Sequence, residues 1–319
     1  MGTKRSKLLE KAKKEANNAI ILEKSGEFHQ AISKYERAAE LLIHYIKFEK
    51  EPMMFELIQR SIDDYITQAK ELRSLLLSSE ATINGESDSA GALDSELVNL
   101  WNKIGLLYSK KGDYKQAINA YKKALEIDPE DSIIWYNLSS PYFKLGEFDK
   151  SIEACQKSLE IESRGILAWN NLASCYNSKY MYEEAISACE KALALDSKAI
   201  YIWSALAAAY NGVREYDKAI EASNHAIELD MNYSYAWRHL GFAYYKKRDY
   251  PKAVDYFKKA ITLDTTYKKA WFSLGKVFSK MERYNDALNA VNKCLEIDPK
   301  FEKAQKLREK IIKKKTNNE

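Results

Sequence analysis

The chain has 319 residues, of which 30% are charged, with a net charge of only +4, 22 tyrosines, 11 glycines and 5 prolines. Few helix breakers beside many Ala, Glu, Lys and Leu describe a helical protein long enough for two or more domains. The near-neutral balance gives no basis for bulk nucleic-acid binding, and no apolar run reaches the ~20 residues that span a bilayer.

Three helical segments come first, at about 5–25, 28–49 and 53–79, broken at Ser25-Gly26 and Glu51-Pro52. The stretch from Gly26-Glu27-Phe28 through Ala31, Tyr35 and Ala38 has the spacing of a second helix from the repeats further on. Upstream, Glu15, Asn18 and Leu22 stand where those repeats place Trp, Leu and Tyr, and the third segment is too long for such a unit. A three-helix bundle over residues 1–79 fits these lengths. The alternative is an atypical cap packed on the repeats. The start, Met1 to Lys7, lacks the apolar core of a secretory signal. Gly2 with Ser6 satisfies the bare N-myristoylation pattern, for which chance is the plainer account. A lipid there would act with Lys4, Arg5 and Lys7 at a membrane.

The residues Ala31, Tyr35 and Ala38, then Ile46-Lys47-Phe48-Glu49, then Tyr65-Ile66, Ala69, Glu71-Leu72 and Leu76 resemble the MIT (microtubule-interacting and trafficking) domain. That domain occurs on ATPases and adaptors of the ESCRT pathway, and the resemblance spans residues 7–77. It implies binding of short motifs in the tails of ESCRT-III-type filament proteins, in the grooves flanking the third helix. By spacing, Ile58, Ile62, Tyr65, Ala69, Leu72 and Leu76 face the core. Ile66 falls in a neighbouring stripe with Gln59, Asp63, Lys70 and Arg73, at the position where the family presents a leucine to its ligand. It is either that anchor, with Ile62 and Lys70 beside it, or the core edge against the second helix. On the other groove, Ala16 stands where the family often carries a branched apolar side chain.

Residues 80–97, with Asn84-Gly85-Glu86-Ser87 and Ser89-Ala90-Gly91, are small and polar and predict a flexible linker. In the two-module reading a protease cuts this tether without unfolding either part; in the cap reading the parts do not separate. From residue 98 the pattern changes. Trp101, Trp135, Trp169, Trp203, Trp237 and Trp271 recur every 34 residues, the mark of a stacked helical array. Small columns accompany them, Ala117, Ser151, Ala185, Ala219, Ala253, Ala287 and Ala124, Ser158, Ala192, Ala226, Ala260, Cys294. Trp101, Ile104 and Tyr108 form one apolar stripe, and Ala117, Tyr121 and Ala124 the facing one. Gly112 and Gly146 suit left-handed turns within a pair, whereas Tyr180, Arg214, Arg248 and Glu282 at the equivalent places predict another geometry. Pro141 falls inside a first helix and predicts a kink.

Trp237, Leu240, Gly241 and Tyr244 best keep the Trp-x-x-Leu-Gly-x-x-Tyr signature, and the array resembles the tetratricopeptide repeat (TPR) family. The expected fold is all-α: a three-helix bundle, then a right-handed α-α superhelix of six units over 98–301. Residues 302–319, with Ala304, Leu307, Ile311 and Ile312, supply a capping helix and tail.

The stripe opposite each Trp predicts an inner groove. Its candidate peptide-binding residues are Asn102, Tyr136, Asn137, Asn170, Asn171 and Tyr201, then Tyr235, Arg238, Phe242, Tyr245, Lys269, Phe272 and Lys276. Asn99, Leu106, Ser140, Phe143, Ser174, Asn177, Ser204 and Asn211 share the stripe. Aromatics with Arg and Lys between them suit an acidic peptide with apolar anchors. The plainer reading packs individual rings on the adjacent helix. The resemblance also implies a clamp for chaperone carboxylates, which needs Lys, Asn, Asn, Lys and Arg on three successive units; Asn137 stands without its Lys and Arg partners, so a co-chaperone role is disfavoured. His29, His44, His225 and His239 share no metal-ligand spacing, and Cys155, Cys175, Cys189 and Cys294 read as reduced core thiols. No phosphate loop, dinucleotide fingerprint or nucleophile elbow occurs. The expectation is a cytoplasmic, non-enzymatic adaptor without cofactor or metal, binding proteins or peptides and reaching membranes indirectly or through Gly2. A plain repeat scaffold is the alternative.

Overall fold

The computed structural model describes residues 2–46, 49, 52–80 and 88–316, with side chains at 2–5, 52, 76–80, 88–94 and 96 left aside. Every described regular element is an α-helix. The chain divides into two compact units, Met1–Gly146 and Glu147–Glu319.

The first unit opens with α1 (Gly2–Lys24), α2 (Phe28–Ile46) and α3 (Pro52–Glu80). Ala12, Ala16 and Ala19 place a stripe of small side chains on α1, so α2 approaches closely and buries Ala31, Ile32 and Tyr35. The Tyr35 hydroxyl donates to Glu23 at 2.7 Å, its ring lies 6.0 Å from that of Tyr65, and Lys34 pairs with Glu15 at 3.1 Å. Ile58, Ile62, Ala69 and Leu72 enter the core from α3 as the spacing requires, each aliphatic contributing roughly 1.5–3 kcal/mol by leaving water. The expected core role of Leu76 lies outside the described side chains.

The expected linker is corrected in part. Residues 81–87 lie outside the described residues, but α4 already begins at Asp88 and runs unbroken through Trp101 to Lys111 (Asp88–Lys111). Leu97, Leu100, Ile104 and Leu107 are all buried on one flank of α4, and Val98, Trp101, Gly105 and Tyr108 on the next. Two buried flanks require two partners. One is α5 (Tyr114–Ile127), which presents Ala117, Tyr121 and Ala124; the other is the bundle through α2. The unit closes with α6 (Ser132–Leu145), whose N-cap Asp131 accepts from the Ile133 and Ile134 amides. Helix α6 continues through Pro141 rather than ending there, with Ser139 Oγ donating to the Tyr136 carbonyl at 2.6 Å.

The second unit holds α7 (Phe148–Ile161), α8 (Ile166–Ser178), α9 (Tyr182–Leu195), α10 (Ile200–Gly212), α11 (Tyr216–Leu229), α12 (Ser234–Lys246), α13 (Tyr250–Leu263), α14 (Lys268–Lys280), α15 (Tyr284–Ile297) and α16 (Glu302–Thr316). Each helix packs on the next, and α8, α10, α12 and α14 also lie side by side as a layer of first helices. Ala185, Ala219, Ala253 and Ala287 are fully buried, so the paired helices meet at alanine contacts. Trp169, Trp203, Trp237 and Trp271 each donate the indole N–H to a backbone carbonyl six residues earlier, at 2.8–3.0 Å. The 34-residue column is thus a hydrogen-bonding device as well as a packing one. Helix α16 buries Ala304 and Ile311, while Ile312 is left exposed.

The turns also correct the sequence reading. Tyr180, Arg214, Arg248 and Glu282 do not use another geometry: their φ values of 63°, 68°, 67° and 60° match the left-handed turns at Gly112 and Gly146. The fold imposes the same turn on residues that carry a Cβ, at a cost of roughly 1–2 kcal/mol each.

Candidate protein-interaction surfaces

In the first unit the bundle and the first helical pair make direct contact. Lys103 Nζ on α4 reaches Glu40 on α2 at 3.0 Å, and Phe55 on α3 meets Tyr108 edge-on at 5.8 Å. Lys111 Nζ sits 3.4 Å above the Phe55 ring and 3.5 Å from the Glu49 carbonyl. Between α3 and the α4–α5 pair lies a cleft of about 510 Å³, lined by Phe55, Gln59 and Asp63 on one side and Trp101, Tyr108 and Lys123 on the other. Burial raises the Asp63 carboxyl, against the opposing charge of Lys123 and a hydrogen bond from Gln59.

The second unit repeats this arrangement. A cleft of about 500 Å³ is lined by Gln156, Leu159 and Glu160 of α7 together with Trp169, Tyr176 and Lys191, two repeat lengths on from Trp101, Tyr108 and Lys123. Helix α3 lines the first cleft and α7 the second, but only α7 packs closely along the helix it faces, α8.

Gln59 and Asp63 on α3 line the cleft that faces α4 and α5. Ile66 is 0% exposed, which favours the core-edge alternative over the ligand anchor. Ile62 is equally buried, and Lys70 is half-buried.

Of the expected groove residues, Asn102 and Asn137 engage each other, Asn137 Nδ2 donating to Asn102 Oδ1 at 2.9 Å, with Tyr136 half-buried beside them in sequence. In the second unit Asn170, Asn171 and Tyr201 are half-buried. Asn177 and Asn211 are spent on the fold: their amides donate to the Ala205 and His239 carbonyls at 3.1 Å, clipping each first helix to the next.

The remaining candidates converge. Tyr235, 47% exposed, lies against Tyr233 and Tyr267 with ring centroids at 5.4 and 4.7 Å. Arg238 Nε donates to the Tyr267 hydroxyl at 2.6 Å, and its terminal nitrogen lies 2.9 Å from the His239 ring. Lys276 Nζ is 5.4 Å from the Tyr245 ring and 5.8 Å from that of Phe272, and Lys246 is 5.4 Å from that of Phe242. Phe272 also packs edge-on against Phe301 at 5.3 Å, so that ring is partly a packing element. Burial lowers Lys269 and Lys276, and neighbouring cations lower both further: Arg238, Lys268 and Lys303 for the first, Lys246, Lys280 and Lys303 for the second. Burial, then Arg238 and Lys269, hold His239 far below its ordinary range, so it is neutral near pH 7. Among the described residues no carboxylate pairs with Arg238, Lys246, Lys269 or Lys276, whereas the adjacent Lys247 and Lys268 are paired with Asp217 and Asp298. The helix-based stripe missed His239, Tyr233 and Tyr267. The two tyrosines share a column one repeat apart at helix starts, a signal the sequence did carry.

These surfaces and stacked pairs define a helical-repeat protein of the protein-interaction class. Among the described residues no group of His, Cys, Asp and Glu could hold a metal ion, and no helix is long and apolar enough to cross a membrane. Tetratricopeptide repeat models match residues 98–131, 120–153, 166–198, 234–267 and 269–301, and the MIT (microtubule interacting and transport) domain model matches residues 9–74. The chain belongs to the tetratricopeptide repeat family and carries an N-terminal MIT domain. No curated protein matches it significantly. Among solved structures, a tetratricopeptide repeat protein from Parabacteroides merdae is 17% identical with a TM-score of 0.62, covering 86% of this chain and 98% of that one. The anaphase-promoting-complex Cut9–Hcn1 structure gives 15% identity and 0.60, covering 94% of this chain and 76% of that one. A thermophilic TPR protein from Thermus thermophilus gives 18% and 0.54, covering 57% and 98%. At these identities the likeness is one of fold.

Proposed function

We propose that the chain is a non-enzymatic cytoplasmic adaptor. Its repeats hold an acidic peptide with apolar anchors, and its MIT domain takes tails of ESCRT-III-like proteins. One observation carries the reading: Arg238, Lys246, Lys269 and Lys276 gather among Tyr235, Phe242, Tyr245 and Phe272 without a carboxylate among the described residues to neutralise them. Cations held close to one another and partly out of water raise each other's energy, and an anionic ligand relieves it. Tyr235 is exposed beside them and the other three rings are half-buried, and their open faces supply apolar contact. The ESCRT-III part rests on the domain match alone, since Ile66 is buried.

Fluorescence anisotropy on the full chain tests both halves. A labelled acidic peptide bearing Leu or Phe should bind, tail peptides of ESCRT-III-like proteins should bind independently, and Arg238→Glu with Lys276→Glu should abolish only the first. Binding of the acidic peptide that survives both reversals would overturn the repeat-surface reading. The plain scaffold keeps one specific support: α3 lines a cleft on the first pair, as α7 does on the third. Failure of every tail peptide on a folded chain would leave that reading.

A further inference from the structure

We infer that the acidic ligand of the repeat surface carries a phosphoryl group, on serine or threonine, seated by Arg238, Lys269 and Lys303. The inference rests on the reading of that surface as a peptide site and names the anion it takes. It starts from how Arg238 is held. Its Nε donates to the Tyr267 hydroxyl at 2.6 Å, and a terminal nitrogen lies 2.9 Å from the His239 ring. Arginine has no acceptor, so the imidazole nitrogen it meets is the unprotonated one of a neutral ring. Both acceptors are uncharged: they fix the guanidinium and leave its charge unspent. The platform beneath is itself tied down, since Tyr267 is buried and the Asn211 amide donates to the His239 carbonyl at 3.1 Å. The neighbouring carboxylates are committed elsewhere. Asp298 pairs with Lys268 at 2.6 Å, and Asp264 accepts from the Thr266 amide and hydroxyl at 2.9 and 2.8 Å.

The positive charge here exceeds what one carboxylate neutralises. Lys269 is exposed two residues beyond Tyr267, and the charges of Arg238 and Lys303 both act on it. Lys303, exposed on the first turn of α16, acts on Lys276 as well, so it lies within electrostatic reach of both. The capping helix thus lends the surface a cation besides closing the array. Among the described residues no carboxylate pairs with Lys303. A carboxylate brings two oxygens and a single charge, whereas a phosphate monoester brings three oxygens and about −1.5 to −2. Three unneutralised cations linked through Lys269 favour the dianion. A peptide carries it rather than a lipid headgroup, because Tyr235, Arg238, Phe242 and Tyr245 follow one another along one face of α12 for about 15 Å. Contacts spaced along such a row suit an extended chain, with Lys246 and Lys276 left for its carboxylates.

Fluorescence anisotropy on the full chain tests this. The probe is a labelled acidic peptide with one Phe anchor, made with glutamate or phosphoserine at each position in turn, so that every register is sampled. The best phosphoserine form should bind roughly tenfold tighter than its glutamate counterpart. Arg238→Lys keeps the charge and loses the planar fork, so it should bring the two forms within about twofold of each other. Lys303→Gln, a change at an exposed side chain, should cut the preference roughly threefold and leave the glutamate form nearly unchanged. Circular dichroism checks the fold of both variants. Equal binding of the two forms at every position overturns the inference and leaves the acidic-peptide reading in place. A preference that survives both variants overturns the seat. If neither form binds at any position, the peptide-site reading falls as well. Binding to phosphoinositide vesicles but to no phosphopeptide would overturn the inference in favour of a membrane surface.

Discussion

Lys103 on α4 and Glu40 on α2 meet at 3.0 Å, an ion pair between the bundle and the first helical pair. Burial alone would raise the Glu40 carboxyl; hydrogen bonds and charge from Lys103 and Arg37 outweigh it and hold the group below its ordinary range. A depressed carboxyl contributes stability above its unfolded value and loses it as pH falls through the folded one. Both side chains are substantially solvated, so the contribution is about 0.2–1 kcal/mol. Protection factors in α4, which correct exchange for its intrinsic pH dependence, should therefore fall as pH drops below about 4.5, and Lys103→Met should remove most of that pH response. An unchanged response in the variant would exclude this pair as its source.

The tryptophan column predicts unequal costs for one substitution. Trp203→Phe removes a bond to the Ser197 carbonyl at 2.8 Å, an exposed acceptor that water then takes up, so it should cost about 0.5–1.5 kcal/mol more than the lost ring area alone. Trp101→Phe removes an indole N–H that has no partner and should cost less. Urea unfolding followed by circular dichroism compares them; equal losses would mean that Trp101 is satisfied in solution.

Glycine 105 tests how tightly the first pair is closed. A Cβ at Gly105 would lie 2.4 Å from the Tyr121 ring, which is 1% exposed and has no room to withdraw. Gly105→Ala should destabilise the first unit by about 1–3 kcal/mol. At Gly241 the nearest ring atoms of Phe257 stand at 3.0 Å, so Gly241→Ala should cost less. Differential scanning calorimetry ranks the two, and the reverse order would refute the packing argument.

What the sequence showed and hid follows from the range over which each feature is determined. The 34-residue Trp column and the small-residue columns are local and periodic, so the helical pairs were legible from them. The left-handed turns at Tyr180, Arg214, Arg248 and Glu282 were not, because residue identity argued for glycine while the flanking helices imposed the turn. The early start of α4 was hidden because Ser89-Ala90-Gly91 has linker composition, yet the helix that buries Leu97 and Trp101 begins upstream of them. Ile66 stood alone among charged residues in sequence, yet it is fully buried. In the candidate peptide surface the cations and rings were legible, but the grip of Tyr267 on Arg238 spans two helices and was not.

Those four turns yield a prediction of gain. Glycine reaches φ > 0 without the Cβ penalty, but it also loses more backbone freedom on folding, by roughly 0.5–1 kcal/mol. With strain of roughly 1–2 kcal/mol relieved, each of Tyr180→Gly, Arg214→Gly, Arg248→Gly and Glu282→Gly should be neutral to stabilising by up to about 1 kcal/mol. The quadruple variant should raise the urea midpoint of the second unit. Gly146→Arg should lower stability of the first by about 1 kcal/mol. A lower midpoint for the quadruple variant would show that the side chains at these turns contribute more than their backbone costs.

The last prediction concerns the cation–aromatic surface itself. Lys269 and Lys276 lose protons more readily than ordinary lysines, first because they are partly desolvated and then because cations surround them. A carboxylate ligand stabilises their charged forms, so their values rise on binding and the complex holds more protons than the free chain over the interval between. Affinity for an acidic peptide should accordingly fall as pH rises through that interval, at lower pH than an ordinary lysine would give. His239 stays neutral across the same range and takes no part. Replacing both lysines by arginine keeps the charge and removes the titration, so the double variant should hold its affinity through the alkaline range while retaining salt dependence. Isothermal titration calorimetry in two buffers of different ionisation enthalpy measures the proton uptake directly. Zero uptake by the native chain at alkaline pH would mean that these lysines do not meet the ligand's charge.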